Sequence, residues 1–154
     1  MTLKPWQRIG LTLLAVVAVF YGMVYVDVVL RARDAWMKGE MYWRWADHPE
    51  ERLAYLQQQQ AKEQTALDAK KAAGTLSADE YSRATELLQF RYAQMGRESS
   101  LKYAYVWYQT AAELFSPPES KWVVMARAKM PLAKERWKAE LAAQHIPYDD
   151  YMLN

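Results

Sequence analysis

The chain contains no cysteine. That excludes a disulfide framework, thiolate metal sites and the covalent attachment of a c-type haem. Histidine is almost as scarce. His48 and His145 stand far apart, neither with further ligands at metal-binding spacing. A zinc or iron site needs three or four converging ligands, so no metal is expected. The five glycines are isolated, which excludes a glycine-rich phosphate loop. No segment alternates apolar and polar residues with period two, so strands are not expected. Neither sign of charge dominates. Twenty Lys and Arg against 18 Asp and Glu leave a net charge of +2, and no nucleic-acid partner is expected. Ser99, Ser100 and Ser116 have no histidine base nearby in sequence, and Asp149 with Asp150 reads as a solvated pair. The expectation is a protein without catalytic residues, cofactor or small-molecule substrate, and so not an enzyme.

What the chain does have is one long apolar run. Residues 9–26, IGLTLLAVVAVFYGMVYV, carry no charge and no polar face. About 18 or more such residues cross a bilayer core at 1.5 Å each. A cleaved signal peptide is the rival, with Lys4 and Arg8 before the run and Val16-Val17-Ala18 as a loose cleavage pattern. Cleavage there would leave a new end that is still strongly apolar, so a retained anchor over residues 9–30 is expected. Residues 1–8 carry no acid, whereas Asp27, Asp34, Glu40 and Asp47 dilute the bases after the span. This favours a cytoplasmic N-terminus and an outer domain, as for a single-pass protein of a bacterial inner membrane.

The remainder is rich in helix-forming residues, and the predicted fold class is all-α: a transmembrane helix followed by a small helical domain of hairpins. Residues 31–47 form an aromatic juxtamembrane segment. Trp36, Tyr42, Trp43 and Trp45 suit the membrane interface, where a ring is apolar and its N–H or O–H is wet, and they equally suit the start of a core. Residues 48–97 read as a helical hairpin. A helix starts near Asp47-His48-Pro49-Glu50-Glu51 and stops at Gly74. Ser77-Ala78-Asp79-Glu80 has the form of a capping box that restarts it.

The pattern from Leu67 through Gly74, Leu76, Ser77, Glu80 and Tyr81 to Leu88 resembles the short SHOCT-type helical hairpins of bacterial proteins. That resemblance implies self-association or partner contact.

Residues 98–145 form a second, aromatic-rich hairpin. Leu101, Tyr105, Tyr108, Ala112 and Phe115 share one helical stripe, with Ala104, Trp107, Ala111 and Leu114 beside it. Ser116-Pro117-Pro118-Glu119 suggests the next helix start, and Pro131 should kink or end that helix. The bases Lys121, Arg127, Lys129, Lys134, Arg136 and Lys138 read as a solvated face among glutamates. Residues 146–154 form an aperiodic tail. Tyr, Trp and Arg are enriched at interface cores, so Tyr103, Trp107, Trp122 and Trp137 are the candidate partner-binding residues. The expected function is that of a non-catalytic accessory or scaffold subunit of a membrane complex. The partners would be the lipid bilayer and other subunits. A self-associating, membrane-tethered coiled-coil protein is the alternative, and an enzyme with an unrecognised site is the third reading.

Overall fold

The computed structural model describes residues 4–149, and all their side chains except those of Pro5, Gln7 and Arg8. The expectations for residues 1–3 and 150–154 lie outside the described residues. The fold is all-α, and no strand occurs among the described residues.

Helix α1, Pro5–Asp47, has 43 residues, a rod about 65 Å long at 1.5 Å per residue. The apolar run and the aromatic segment are therefore one helix, with no break near residue 30. The sequence explains this. No proline follows Pro5 until Pro49. Where the apolar run gives way to charged residues, Asp27 pairs with Arg31 at 2.7 Å and Asp34 with Lys38 at 2.8 Å. Such i,i+4 pairs support a helix on its exposed face. Pro49 then disfavours helical backbone at His48, and the rod ends.

Helix α2, Pro49–Ala72, carries Glu50 and Glu51 in its first turn, beside the positive end of the dipole. It ends as expected at Gly74, whose φ of +70° favours glycine. The Thr75 N–H donates to the Lys70 carbonyl and the Gly74 N–H to that of Lys71, each at 3.0 Å. This is a Schellman closure. Helix α3, Ala78–Arg97, opens on the expected capping box. The Glu80 N–H donates to Ser77 Oγ at 3.3 Å, and the Ser77 N–H donates to the Glu80 carboxylate at 2.9 Å.

Helix α4, Ser100–Gln109, is capped by Ser99, which accepts the Lys102 N–H at 3.1 Å. It buries Leu101, Ala104, Tyr105 and Tyr108. It then widens into a π-helical turn, Thr110–Leu114. The turn keeps Ala111 and Ala112 inside but swings Leu114 out to 74 % exposure, off the stripe the sequence assigns it. A π-turn holds more residues per turn than an α-helix, so the 3.6-residue period fails across it.

Helix α5, Lys121–Ala143, is capped by Ser120, not by Ser116. Two consecutive prolines explain the shift, since Pro118 pushes Pro117 away from helical backbone. Nor does Pro131 end α5. The helix continues through it, and both Pro131 and Arg127, whose carbonyl loses its helical donor there, are exposed.

The C-terminal half of α1, α4 and α5 form a three-helix bundle. Helix α4 runs antiparallel to α1, pairing Tyr103 with Tyr42, Tyr108 with Gly39 and Glu40, and Phe115 with the level of Asp27 and Leu30. Helix α5 turns back, bringing Trp122 to Trp36, Lys129 to Glu40 and Arg136 to Asp47. The core is made of small residues and large rings: Ala35, Ala104, Ala111, Ala126 and Ala133 surround Tyr105, Tyr108 and Trp137. Helices α2 and α3 stand apart as an arm with its own cluster of Leu56, Leu88 and Tyr92, flanked by Leu67. Arg52 ties the arm to the bundle. Its guanidinium donates to the Met95 and Glu98 carbonyls at the end of α3 and, at 2.9 Å, to Ser100 Oγ at the start of α4.

Gly39 sets the closest approach in the bundle. A Cβ there would lie 2.5 Å from Cε1 of the buried Tyr108 ring. Alanine at 39 gains about 1 kcal/mol of helix propensity, but overpacking costs about 1–3 kcal/mol. Gly39→Ala should therefore lower the melting temperature of the detergent-solubilised protein. Gly96→Ala, with nothing within 4 Å of the added Cβ, should raise it. Ser77→Ala should cost about 1 kcal/mol through loss of the cap, read by denaturant unfolding.

Candidate functional site

The four aromatics of residues 31–47 are all engaged by the domain. Trp36 lies 5.2 Å from Trp122. Tyr42 stacks on Tyr103 at 5.1 Å and meets the edge of Trp45 at 5.1 Å. Trp45 is buried and lies 5.0 Å from Tyr55. Trp43 packs near Tyr108, with the Lys129 ammonium 5.3 Å and the Arg136 guanidinium 4.6 Å from its ring centre. The exposed aromatics that bracket the apolar run are others, Trp6 and Tyr25. They stand 19 positions apart, about 28 Å along the axis, close to the thickness of a hydrocarbon core.

The candidate partner-binding residues do not share a surface. Trp137 is only 9 % exposed and lies 6.0 Å from Tyr105, so it is a core residue, a correction to the sequence reading. Its stripe on α5 faces α4 because Ala126 and Ala133 leave room there. Tyr103 is half-buried under Tyr42 and donates its hydroxyl to Glu98. That hydrogen bond, with burial, pushes its pKa up to about 12. Trp107 is half-buried, with the Lys38 ammonium 4.4 Å from its ring centre. Trp122 lies between Arg33 and Lys121, at 5.8 and 4.6 Å.

Two of the bases read as solvated are cross-links instead. Lys129 reaches Glu40 on α1 at 2.6 Å, and the Tyr108 hydroxyl donates to the same carboxylate at 2.7 Å. Burial and that carboxylate raise the Tyr108 pKa. Arg136 pairs with Asp47 at 2.6 Å and holds the Asp47 carboxyl below its ordinary range. These groups join helices. Among the described residues no group of three or more His, Asp or Glu converges as a metal site. His48 is exposed and contacts Glu50 at 3.2 Å, and His145 is exposed at the end of α5.

The arm holds a broad surface feature. An open groove of about 740 Å³ runs between α2 and α3. Leu67, Leu87, Leu88, Phe90 and Met95 line it, with Glu63, Lys70 and Arg91 at its edges. Leu87 is 68 % and Phe90 64 % exposed, although both sit on a helix whose other face already has a partner. The signal in the sequence is the pair Leu87-Leu88. Adjacent helical residues point about 100° apart, so one seam cannot bury both.

The arm is held largely by polar cross-links. Glu63 accepts from Tyr92 at 2.8 Å and from Arg91, and Tyr92 and Arg91 hold its carboxyl below the usual range. Asp68 accepts from Tyr81 at 2.7 Å and from Gln64 at 2.9 Å, which also lowers its pKa. Glu80 is lowered by Ser77. A carboxylate with a depressed folded pKa stabilises the fold above its unfolded value, and that contribution is lost as pH falls through the folded value. Among the described residues three such groups lie in the arm and one, Asp47, in the bundle. Below about pH 4 the arm should lose amide-exchange protection before the bundle, after correction for intrinsic exchange rates. Glu63→Gln should flatten this acid response.

Compared with family models, with curated proteins and with solved structures, the chain matches none.

Proposed function

We propose that this chain is a non-catalytic accessory or scaffold subunit of a membrane complex. One helix holds it in a bacterial inner membrane, with its N-terminus in the cytoplasm. One helix is long and apolar enough to span, and the span's own residues are uncovered by the rest of the fold. The acid-free flank before the run and the acids after it support the orientation. The scarcity of histidine and the isolation of each polar cluster support a role without chemistry.

The observation that carries the reading is the arm. Its groove exposes Leu87 and Phe90, whereas monomeric soluble surfaces seldom leave large apolar side chains clustered around a groove. The groove has the character of a seat for an amphipathic helix, with apolar walls and charges of both signs on the rim. Rings of the bundle serve folding, so partner contact moves from the Trp and Tyr candidates to the arm. The SHOCT-like pattern lies in this same segment and supports partner contact or self-association there.

Leu87→Asp with Phe90→Asp should leave the helical circular dichroism and membrane location of the full chain unchanged. The same double variant should lose larger subunits that co-purify with the native protein in gentle detergent, as read by mass spectrometry. A homo-oligomer that the double variant dissociates would support the self-associating tether instead. A native protein that is monomeric and bare in gentle detergent would sink the subunit reading.

A further inference from the structure

Because α4 runs back along α1, the turn that follows α4 returns to the level where the apolar run ends. Phe115 shares a cleft of about 420 Å³ with Asp27, Leu30, Arg31, Ala35 and Trp107. Asp27 is the first charge after the run, and Arg31 the first base. The π-turn and the Pro117-Pro118 segment therefore stand at the bilayer boundary. At that level Leu114, 74 % exposed, is the least covered large apolar side chain of the domain. The π-turn is what faces it outward.

Charge is arranged to match. Arg33 lies three residues beyond Leu30, about 4–5 Å along the axis, which is the headgroup layer. Arg33 and Lys121 flank the Trp122 ring from two helices, and neither forms an ion pair with an acid among the described residues. The neighbouring charges are matched within the fold: Arg31 with Asp27, Lys38 with Asp34, Arg127 with Glu119. Glu113 is the acid on the turn itself and is exposed. An amphipathic Trp between two free cations is the composition of an interfacial anchor.

We propose that this turn is a second membrane contact: Leu114 and Phe115 enter the interfacial layer of the bilayer, and Arg33 and Lys121 bind lipid phosphates. The inference rests on the reading of α1 as a membrane anchor. It adds that the domain is seated on the bilayer, not merely tethered above it. The occupant is lipid, not protein, because the helix that crosses the membrane is the same rigid helix against which the turn is packed.

The absence of cysteine makes the test direct. Single nitroxide labels are placed at Val17→Cys, Pro117→Cys and Leu87→Cys in the full chain, reconstituted in phosphatidylethanolamine–phosphatidylglycerol vesicles. Collisions with oxygen report lipid, and collisions with a water-soluble nickel chelate report water. Labels at 17 and 117 should be protected from the chelate, and that at 87 should not. Adding Leu114→Asp should expose the label at 117 and leave that at 17 protected. Arg33→Gln with Lys121→Gln should weaken protection at 117 more in these vesicles than in pure phosphatidylcholine. Protection at 17 with full exposure at 117 would overturn the inference and leave the anchor standing. Exposure at 17 would overturn the anchor itself. Protection at 117 in native membranes but not in the lipid vesicles would mean that a protein covers the turn, which also overturns the inference. Equal protection after the double glutamine change would remove the phosphate contacts.

Discussion

The seating of Tyr108 against Gly39 is the contact on which the rest of the bundle depends. Glycine in a helix interior costs about 1 kcal/mol relative to alanine, and the close approach explains its presence. With no Cβ in the way, the Tyr108 ring packs closely against α1, fully buried. Its hydroxyl then reaches Glu40, the next residue on α1, and Lys129 of α5 binds the same carboxylate. One turn of α1 thus fixes the register of both other helices. A slip of α4 by one residue would move the ring off the glycine and leave its buried hydroxyl without an acceptor, at about 1–3 kcal/mol for the unpaired group alone.

Fixed register is what turns a list of helices into a set of heights above the end of the apolar run. Trp36 and Trp122 share one level, Glu40 and Lys129 the next, Asp47 and Arg136 the top. Helix α1 carries no proline across this length, and its glycine there is packed, so it has no hinge. The base of the arm at Pro49 consequently stands at a constant distance from the end of the apolar run. From Leu30 to Asp47 that distance is about 25 Å.

Much of this was legible in the sequence wherever a local chemical rule acts alone. The apolar run, the Gly74 stop and the Ser77–Glu80 box each depend on a few consecutive residues, and each stands where the pattern puts it. The misses are places where another part of the chain decides. Composition changes at residue 30, but a helix breaks only at a residue that disfavours helix, so α1 runs on. Ser116 has the chemistry of a cap, yet Pro118 denies Pro117 the backbone it needs, and Ser120 takes the role. Lys129 and Arg136 looked like members of a solvated row because the acids they meet lie about 90 residues earlier, on α1. The candidate partner-binding residues scatter for a related reason. Trp and Tyr serve cores and interfaces alike, and only the pairing of α1 with α4 and α5 shows that Tyr103 and Trp137 are committed to the fold.

The bundle and the arm are stabilised by different means, and this bears on their roles. The bundle buries rings between alanine-lined helices, which resists local opening. The arm buries Leu56, Leu88 and Tyr92 and relies otherwise on exposed bonds such as Arg91 to Glu63 and Tyr81 to Asp68. Exposed polar pairs contribute little each. A region with few buried contacts is the first to open, and binding surfaces are drawn from such regions. Covering Leu87 and Phe90 would add the apolar burial that the arm lacks, at roughly 25 cal/mol per Å². An arm that gains its core from a partner, on a bundle rigid enough to hold it at a set height, fits a scaffold better than either part would alone.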